Sequence, residues 1–214
     1  MKVKVMLCII MIVILLLYIG YIIVGKSSYN SGNKLFIACK NGDIGVIMAA
    51  DVTQLKVKDN MGNTLLSTSI QYHQDVISLY LIENGVSLDS ENSFGERPID
   101  IALKENRITT VAILLVNGVD PETINGAGNI AMEYVKSDEA IKLLKRYGAN
   151  INYLYTDKLT PLFIAVIIGN TKLVKLLINN GANINITNQF NETLLDVTND
   201  DEIKQILIEA GAKS

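Results

Sequence analysis

The stretch from Asp157 to Asn185 reads DKLTPLFIAVIIGNTKLVKLLINNGANIN. Thr160 stands where a helix N-cap belongs, because its hydroxyl can accept a backbone N–H of the first turn. Pro161 follows at the first helical position, where no N–H is needed and the ring presets φ. Leu162, Phe163, Ala165, Val166 and Ile167 then make an apolar helix too short to stand alone in water. Gly169 ends it, since a tight helix-to-helix turn demands a left-handed backbone conformation. Asn170 or Thr171 caps a second helix, whose Leu173, Val174, Leu176, Leu177 and Ile178 fall at helical spacing before Gly181 closes it. The result is a helical hairpin, apolar on more sides than it can bury by itself.

A neighbour of the same kind would cover it, and the chain supplies several. GNTLLSTSIQYHQDVISLYLIENGVSL begins at Gly62, GERPIDIALKENRITTVAILLVNGVD at Gly95, GNIAMEYVKSDEAIKLLKRYGANIN at Gly128 and NETLLDVTNDDEIKQILIEAGAK at Asn191, with NKLFIACKNGDIGVIMAA ahead of them from Asn33. The counterparts of Thr160 are Asn33, Thr64, Arg97, Ile130 and Thr193, so the copies step by 31, 33, 33, 30 and 33 residues. A recurrence of that regularity is the mark of stacked repeats.

On these residues the chain resembles the ankyrin-repeat family, whose signature is a 33-residue period with T-P-L-H-x-A opening the first helix. Thr160-Pro161-Leu162-Phe163-Ile164-Ala165 matches all but the His, and Gly181-Ala182-Asn183-Ile184-Asn185 is similar to the family's closing G-A-D-V-N. The resemblance runs from about Asn33 to Lys213. It implies an all-α solenoid of about six helix-turn-helix units, beginning near 33, 62, 95, 128, 158 and 191. The first and last units read as caps, the one weakly patterned in its second helix, the other strongly polar there. The fourth and sixth lack three residues between their helices relative to the fifth.

Ahead of the repeats, Val5 to Val24 is 20 residues without a charge, enough helix to span roughly 30 Å of hydrocarbon. A cleaved signal peptide would have a shorter apolar run and a small-x-small cleavage site, which Ile23-Val24-Gly25-Lys26 is not. A lipoprotein site would want small residues before Cys8, where Met6 and Leu7 stand. The expectation is a single-pass transmembrane helix at 5–24 acting as a signal anchor, with Tyr18 and Tyr21 near its interfacial end. Residues 25–32 follow as a linker, whose Ser27–Gly32 stretch reaches about 13 Å. Lys2 and Lys4 precede the span and Lys26, Lys34 and Lys40 follow it, so the charge rule is nearly balanced. The repeat domain is expected on the exported side of the membrane, with the cytoplasmic side as the alternative.

Removing Lys2, Lys4 and Lys26 leaves 16 basic against 22 acidic residues in the rest of the chain. Without a Lys/Arg cluster to neutralise phosphate, nucleic acid is not an expected partner, and an acidic domain does not hug anionic lipid. A protein partner held near the membrane is the expectation, with no cofactor, metal or small-molecule substrate called for.

Few residues invite catalysis. His73, the only histidine, aligns with Gly42, Asn106 and Gly169 at the turn between helices, where residues tolerant of positive φ are needed. Ser67, His73 and Asp75 fall in one unit, but a nucleophilic triad needs converging side chains. Ser67 sits where the family places its capping His. Cys39 reads as core beside Ala38, Asn199-Asp200-Asp201-Glu202 as a helix start, and no Cys or His pair has metal-ligand spacing.

What remains is recognition by surface. The family's loop tips map to Asp59-Asn60-Met61, Asn92-Ser93-Phe94, Asn125-Gly126-Ala127, Tyr155-Thr156-Asp157 and Asn188-Gln189-Phe190. Met61, Phe94 and Phe190 share one repeat position, and Tyr153 and Tyr155 lie on the loop of another unit. Aromatic side chains on loops anchor interfaces, so these five are the candidate protein-binding residues, packing against the adjacent loop being the alternative. Tyr155 and Lys158 depart from the family's Asp and Gly. The expected function is non-catalytic protein–protein interaction. A regulator or inhibitor of a membrane-proximal toxin or enzyme is the alternative, and a hydrolase using Ser67 and His73 is a third reading.

Overall fold

In a computed structural model, residues 32–155 and 157–213 are described. The apolar run at 5–24 and most of the linker lie outside these residues. Among the described residues, no helix is long and apolar enough to cross a membrane.

The hairpins pair helices in chain order. Residues 32–41 form α1, followed by α2 (Ile44–Met48) and a 3-10 turn at Gln54–Lys56. Then come α3 (Leu65–Gln71) with α4 (Asp75–Glu83), α5 (Pro98–Lys104) with α6 (Ile108–Val116), and a 3-10 turn at Ala131–Tyr134 with α7 (Asp138–Arg146). The last pairs are α8 (Pro161–Ile167) with α9 (Thr171–Asn179), and α10 (Leu194–Val197) with α11 (Asp201–Glu209). Each pair is one unit, numbered 1 to 6. No strand forms among the described residues, only isolated bridges Lys58 to Thr64 and Thr187 to Thr193.

Thr64, Thr160 and Thr193 each cap a first helix, accepting the N–H of Ser67, Phe163 and Asp196 at 3.0, 3.3 and 3.3 Å. Asn33 does not share this role: helix α1 already runs at residue 32, so Asn33 lies inside it. The turn into the second helix is built on a left-handed residue, Gly42, His73, Asn106 or Gly169, with φ of 80, 61, 51 and 69°. Its hydrogen bond runs back to the first helix, as from Asn170 N–H to the Ala165 carbonyl at 2.9 Å.

Units 4 and 6 lack that turn. Their three missing residues come out of the first helix itself, which shrinks to one 3-10 turn in unit 4 and to four residues in unit 6. Val135 and Thr198 then run extended to the caps Ser137 and Asp200, which accept the N–H of Ala140 and Ile203 at 3.3 and 3.1 Å.

The stack is held by one continuous apolar core. Ile77 and Leu81, Val111 and Leu114, Ile141 and Leu144, Val174 and Leu177, and Ile203 and Leu207 line up along the second helices and are buried. Leu66, Ile99, Met132 and Leu162 do the same along the first. Helices of seven to nine residues gain their stability from this packing and not from propensity.

Candidate protein-binding face

Between one second helix and the next first helix the chain makes a projecting finger. Asp59, Asn92, Asn125 and Asn188 fix its tip with one carboxylate or amide oxygen. In finger 3, each finger taking the number of the unit it leads into, Asn92 Oδ1 accepts the N–H groups of Phe94 and Glu96 at 2.9 and 3.0 Å. Asp59 holds Met61 and Asn63 in the same way at 2.9 and 2.8 Å. With its own backbone N–H tied inward to that oxygen, the residue two positions on stands at the tip with its side chain outward. Met61, Phe94 and Phe190 are accordingly exposed, Phe94 by 59%.

Fingers also brace one another. Lys58 Nζ donates to the Glu91 carbonyl at 2.9 Å, and Glu91 Oε1 accepts the Gly126 N–H at 2.7 Å. Gly95 is pressed so close to finger 4 that a Cβ there would stand 2.3 Å from Ala127 N and 2.4 Å from Gly126 C.

Tyr153 and Tyr155 do not join the exposed tips. They are half-buried against the core and meet each other edge to face, with centroids 5.1 Å apart. Tyr155 occupies the slot that Asp59 and Asn92 fill elsewhere and cannot make their turn-fixing bonds. The backbone keeps the turn regardless: Lys158 N–H reaches the Tyr155 carbonyl at 3.0 Å, and Lys158 takes the left-handed conformation, φ 60°. The Tyr155 hydroxyl instead reaches back one unit, accepting the Ile130 N–H at 3.1 Å and donating to the Glu133 carboxylate. Burial pushes the Glu133 carboxyl above its ordinary range, with the Tyr155 and Ile130 bonds opposing it. Tyr155 is itself pushed up by burial and then by Glu133.

Ile130 stands at a cap position with no side-chain oxygen to offer the Glu133 N–H; its own N–H is held instead by the Tyr155 hydroxyl and by Glu133 Oε1 at 3.2 Å. Arg97 is the other cap position without a hydroxyl, and a buried ion pair forms there. Arg97 is 1% and Asp100 0% exposed. Arg97 Nη2 and Nε donate to the two Asp100 oxygens at 3.1 and 3.2 Å, Nη1 to the Asp120 carbonyl at 3.2 Å, and Asn125 Nδ2 to Asp100 at 2.8 Å.

On the inner face, formed by first helices and fingers, a groove of about 390 Å³ runs across units 1 to 3. Met61, Tyr72 and Phe94 are its exposed apolar walls, with Ile101 beneath. Lys40 lies 5.3 Å from the Tyr72 ring centre. Lys104 bonds Glu96 and sits 4.8 Å from the Tyr134 ring. Burial raises the Glu96 carboxyl, and the bonds from Lys104 and Asn92 outweigh it, leaving the group below its ordinary range. Tyr72 and Lys104 were not legible as site residues, because only the fold sets the end of α3 beside the tips of fingers 2 and 3.

The triad residues serve other ends. The Ser67 hydroxyl is buried in a capping box with Thr64, 2.7 Å between the two oxygens. His73 faces Glu105 at 3.4 Å and Arg107 at 3.3 Å, and Asp75 pairs with Arg107. Cys39 is fully buried, which pushes its thiol up to about 12. Among the described residues, no three His, Cys, Asp or Glu side chains group as metal ligands would.

Fold and face together define a helical-repeat interaction module, and the family model for "Ankyrin repeats (3 copies)" matches residues 35–125 and 129–214. The chain belongs to the ankyrin-repeat family. It is 24% identical over 190 residues to the putative ankyrin repeat protein YahD of Escherichia coli (strain K12), covering 82% of this chain and 94% of that protein. It is 32% identical over 132 residues to Alpha-latrotoxin-Lg1a of Latrodectus geometricus, covering 59% of this chain and 10% of the toxin. The chain thus spans a small part of the toxin, and it spans 49% of a putative ankyrin repeat protein of Fowlpox virus. Among solved structures, an ankyrin repeat domain from Acinetobacter baumannii AYE superposes with a TM-score of 0.64 at 26% identity, over 84% of this chain and 98% of that one.

Proposed function

We propose that this chain is a non-catalytic interaction protein that seats a partner protein's side chains in the groove of units 1 to 3, and that residues 5–24 hold it at a membrane. The observation carrying the reading is the groove itself: Met61, Tyr72 and Phe94 stand exposed around one recess, on backbone turns pinned by Asp59 and Asn92. Rigidly presented aromatic and Met side chains around a recess are what interface hot spots are made of. Ankyrin arrays are stacks in which each unit touches only its neighbours, leaving an extended face for recognition.

A photo-crosslinking amino acid at Phe94 in the native cell tests the groove. Adducts to protein are expected there and not at Val116, an exposed residue of the second-helix face; equal labelling at both sites rejects the groove. Alkaline carbonate extraction tests the tether, since release of the full chain from the membrane pellet rejects an anchor at 5–24.

A further inference from the structure

The inner face carries a second apolar feature, and it protrudes. Helix α8 keeps its full length, Pro161–Ile167, while its neighbours on both sides are the shortened first helices of units 4 and 6, Ala131–Tyr134 and Leu194–Val197. The last turn of α8 therefore has no first-helix turn beside it on either flank. Ile167 and Ile168 stand on that turn, 53% and 64% exposed. Their counterparts in the other full-length units are Gln71 and Tyr72, and Lys104 and Glu105. Where α3 and α5 present mostly polar or amphipathic residues, α8 presents two adjacent isoleucines.

Charge separates the two features further. Residues 158–190 contain Lys158, Lys172 and Lys175 and no acid; residues 59–95 contain Asp59, Asp75, Glu83, Asp89 and Glu91 and no Lys or Arg, Asp75 being paired with Arg107 of the next unit. Lys175 is paired with Glu202, whereas Lys158 and Lys172 form no ion pair among the described residues. At the groove, Lys104 is bonded to Glu96, and Lys40 lines it beside Asp59 and Glu105 with no ion pair among the described residues.

We infer that the groove's occupant is a second copy of this chain: the Ile167–Ile168 spur of one copy seats between Met61, Tyr72 and Phe94 of the other, and the reverse. This rests on the reading of the groove as a protein-binding site. An apolar spur on a lysine-bearing unit matches an apolar recess on an acidic unit in sign. Because spur and recess lie on the same face of one chain, a two-fold arrangement fills both and closes at two copies. The shortened first helix of unit 4 lies between them, where the two chains would cross.

The test uses the full chain in its native membrane, as two differently tagged copies, one with a photo-crosslinking residue at Phe94. Irradiation is expected to give an adduct of twice the chain mass bearing both tags, with the crosslink in tryptic peptide 159–172. Ile168→Glu in the second copy should lower that adduct at least about thirtyfold, as loss of an interface anchor does, and Ile168→Leu should keep it. A helical signal unchanged by Ile168→Glu separates this from unfolding. An adduct with another protein only, or a two-tag adduct linked elsewhere, overturns self-association through the spur and leaves the groove a protein-binding site. The lack of any protein adduct at Phe94 overturns both.

Discussion

Replacing Arg97 by Ala should be among the most damaging single changes in the array. Asp100 would keep the Arg97 backbone N–H at 2.9 Å and Asn125 at 2.8 Å, but lose both guanidinium bonds while remaining fully buried. Removing one partner of a buried ion pair costs about 3–5 kcal/mol, because an uncompensated charge stays behind. For a chain of this size each kcal/mol lowers Tm by about 2–4 °C, so a drop of about 6–20 °C is expected. Circular dichroism of the full chain in detergent reads it, since the chain has no Trp to report by fluorescence. Repeat arrays can open in pieces, so hydrogen exchange should localise the loss to residues 95–135 and spare unit 6. Arg97→Thr should recover about 1 kcal/mol of the loss by rebuilding the box that Thr193 and Asp196 make in unit 6. A Tm within about 2 °C of the parent for Arg97→Ala would refute the assignment of Arg97 as the counter-charge of unit 3.

Tyr155→Phe should cost about 1–3 kcal/mol by leaving the half-buried Glu133 carboxylate short of a donor. Glu133, raised above its ordinary 4.5 mainly by burial, stabilises fully below that value, and this stability is lost as pH rises through the elevated folded one. A Glu133→Gln variant should flatten that part of the stability curve, and an unchanged slope would remove Glu133 as its source. Cys39, buried with its thiol near 12, should resist a thiol reagent in the native Cys8→Ser protein and react on unfolding; rapid native labelling would contradict its burial. Gly95→Ala should destabilise far more than Gly181→Ala. Both have positive φ, but only at Gly95 would the added methyl meet neighbouring backbone, and equal losses of Tm would mean the fingers are not in contact there.

The repeat register, the helical hairpins and the ankyrin family were legible in the sequence because each unit reuses the same local chemistry. A threonine cap, a proline at the first helical position and a left-handed closing residue are all nearest-neighbour effects. His73 could be read as a turn residue for the same reason: positive φ is a local demand, and the site takes Gly, Asn or His. The deletions in units 4 and 6 were visible as spacing, but not that they would come out of the first helix, since spacing alone does not say which element absorbs a loss. Tyr155 misled more instructively. An aromatic residue on a loop looks like an anchor for a partner, yet its hydroxyl is taken up by Ile130 and Glu133 of the unit before it. The bond to Ile130 spans 25 residues, which no local window contains.

Departures from the repeat pattern therefore divide by whether the neighbouring unit absorbs them. At Arg97 and Ile130, where the cap hydroxyl is missing, polar groups reach across the stack: Asn125 to Asp100, Arg97 to the Asp120 carbonyl, Tyr155 to Glu133. Such positions are stabilising links, and their burial keeps them from a partner. At Ile167 and Ile168 the departure is the reverse, since positions that are polar or amphipathic in units 2 and 3 carry two exposed isoleucines here. Uncovered apolar surface in one place carries a free-energy gain only when something binds it. The same criterion places Met61 and Phe94 in the proposed groove, while Tyr153 and Tyr155 pack against the core. In a stack of near-copies, function is to be sought where a unit breaks the pattern and its neighbours do not repair it.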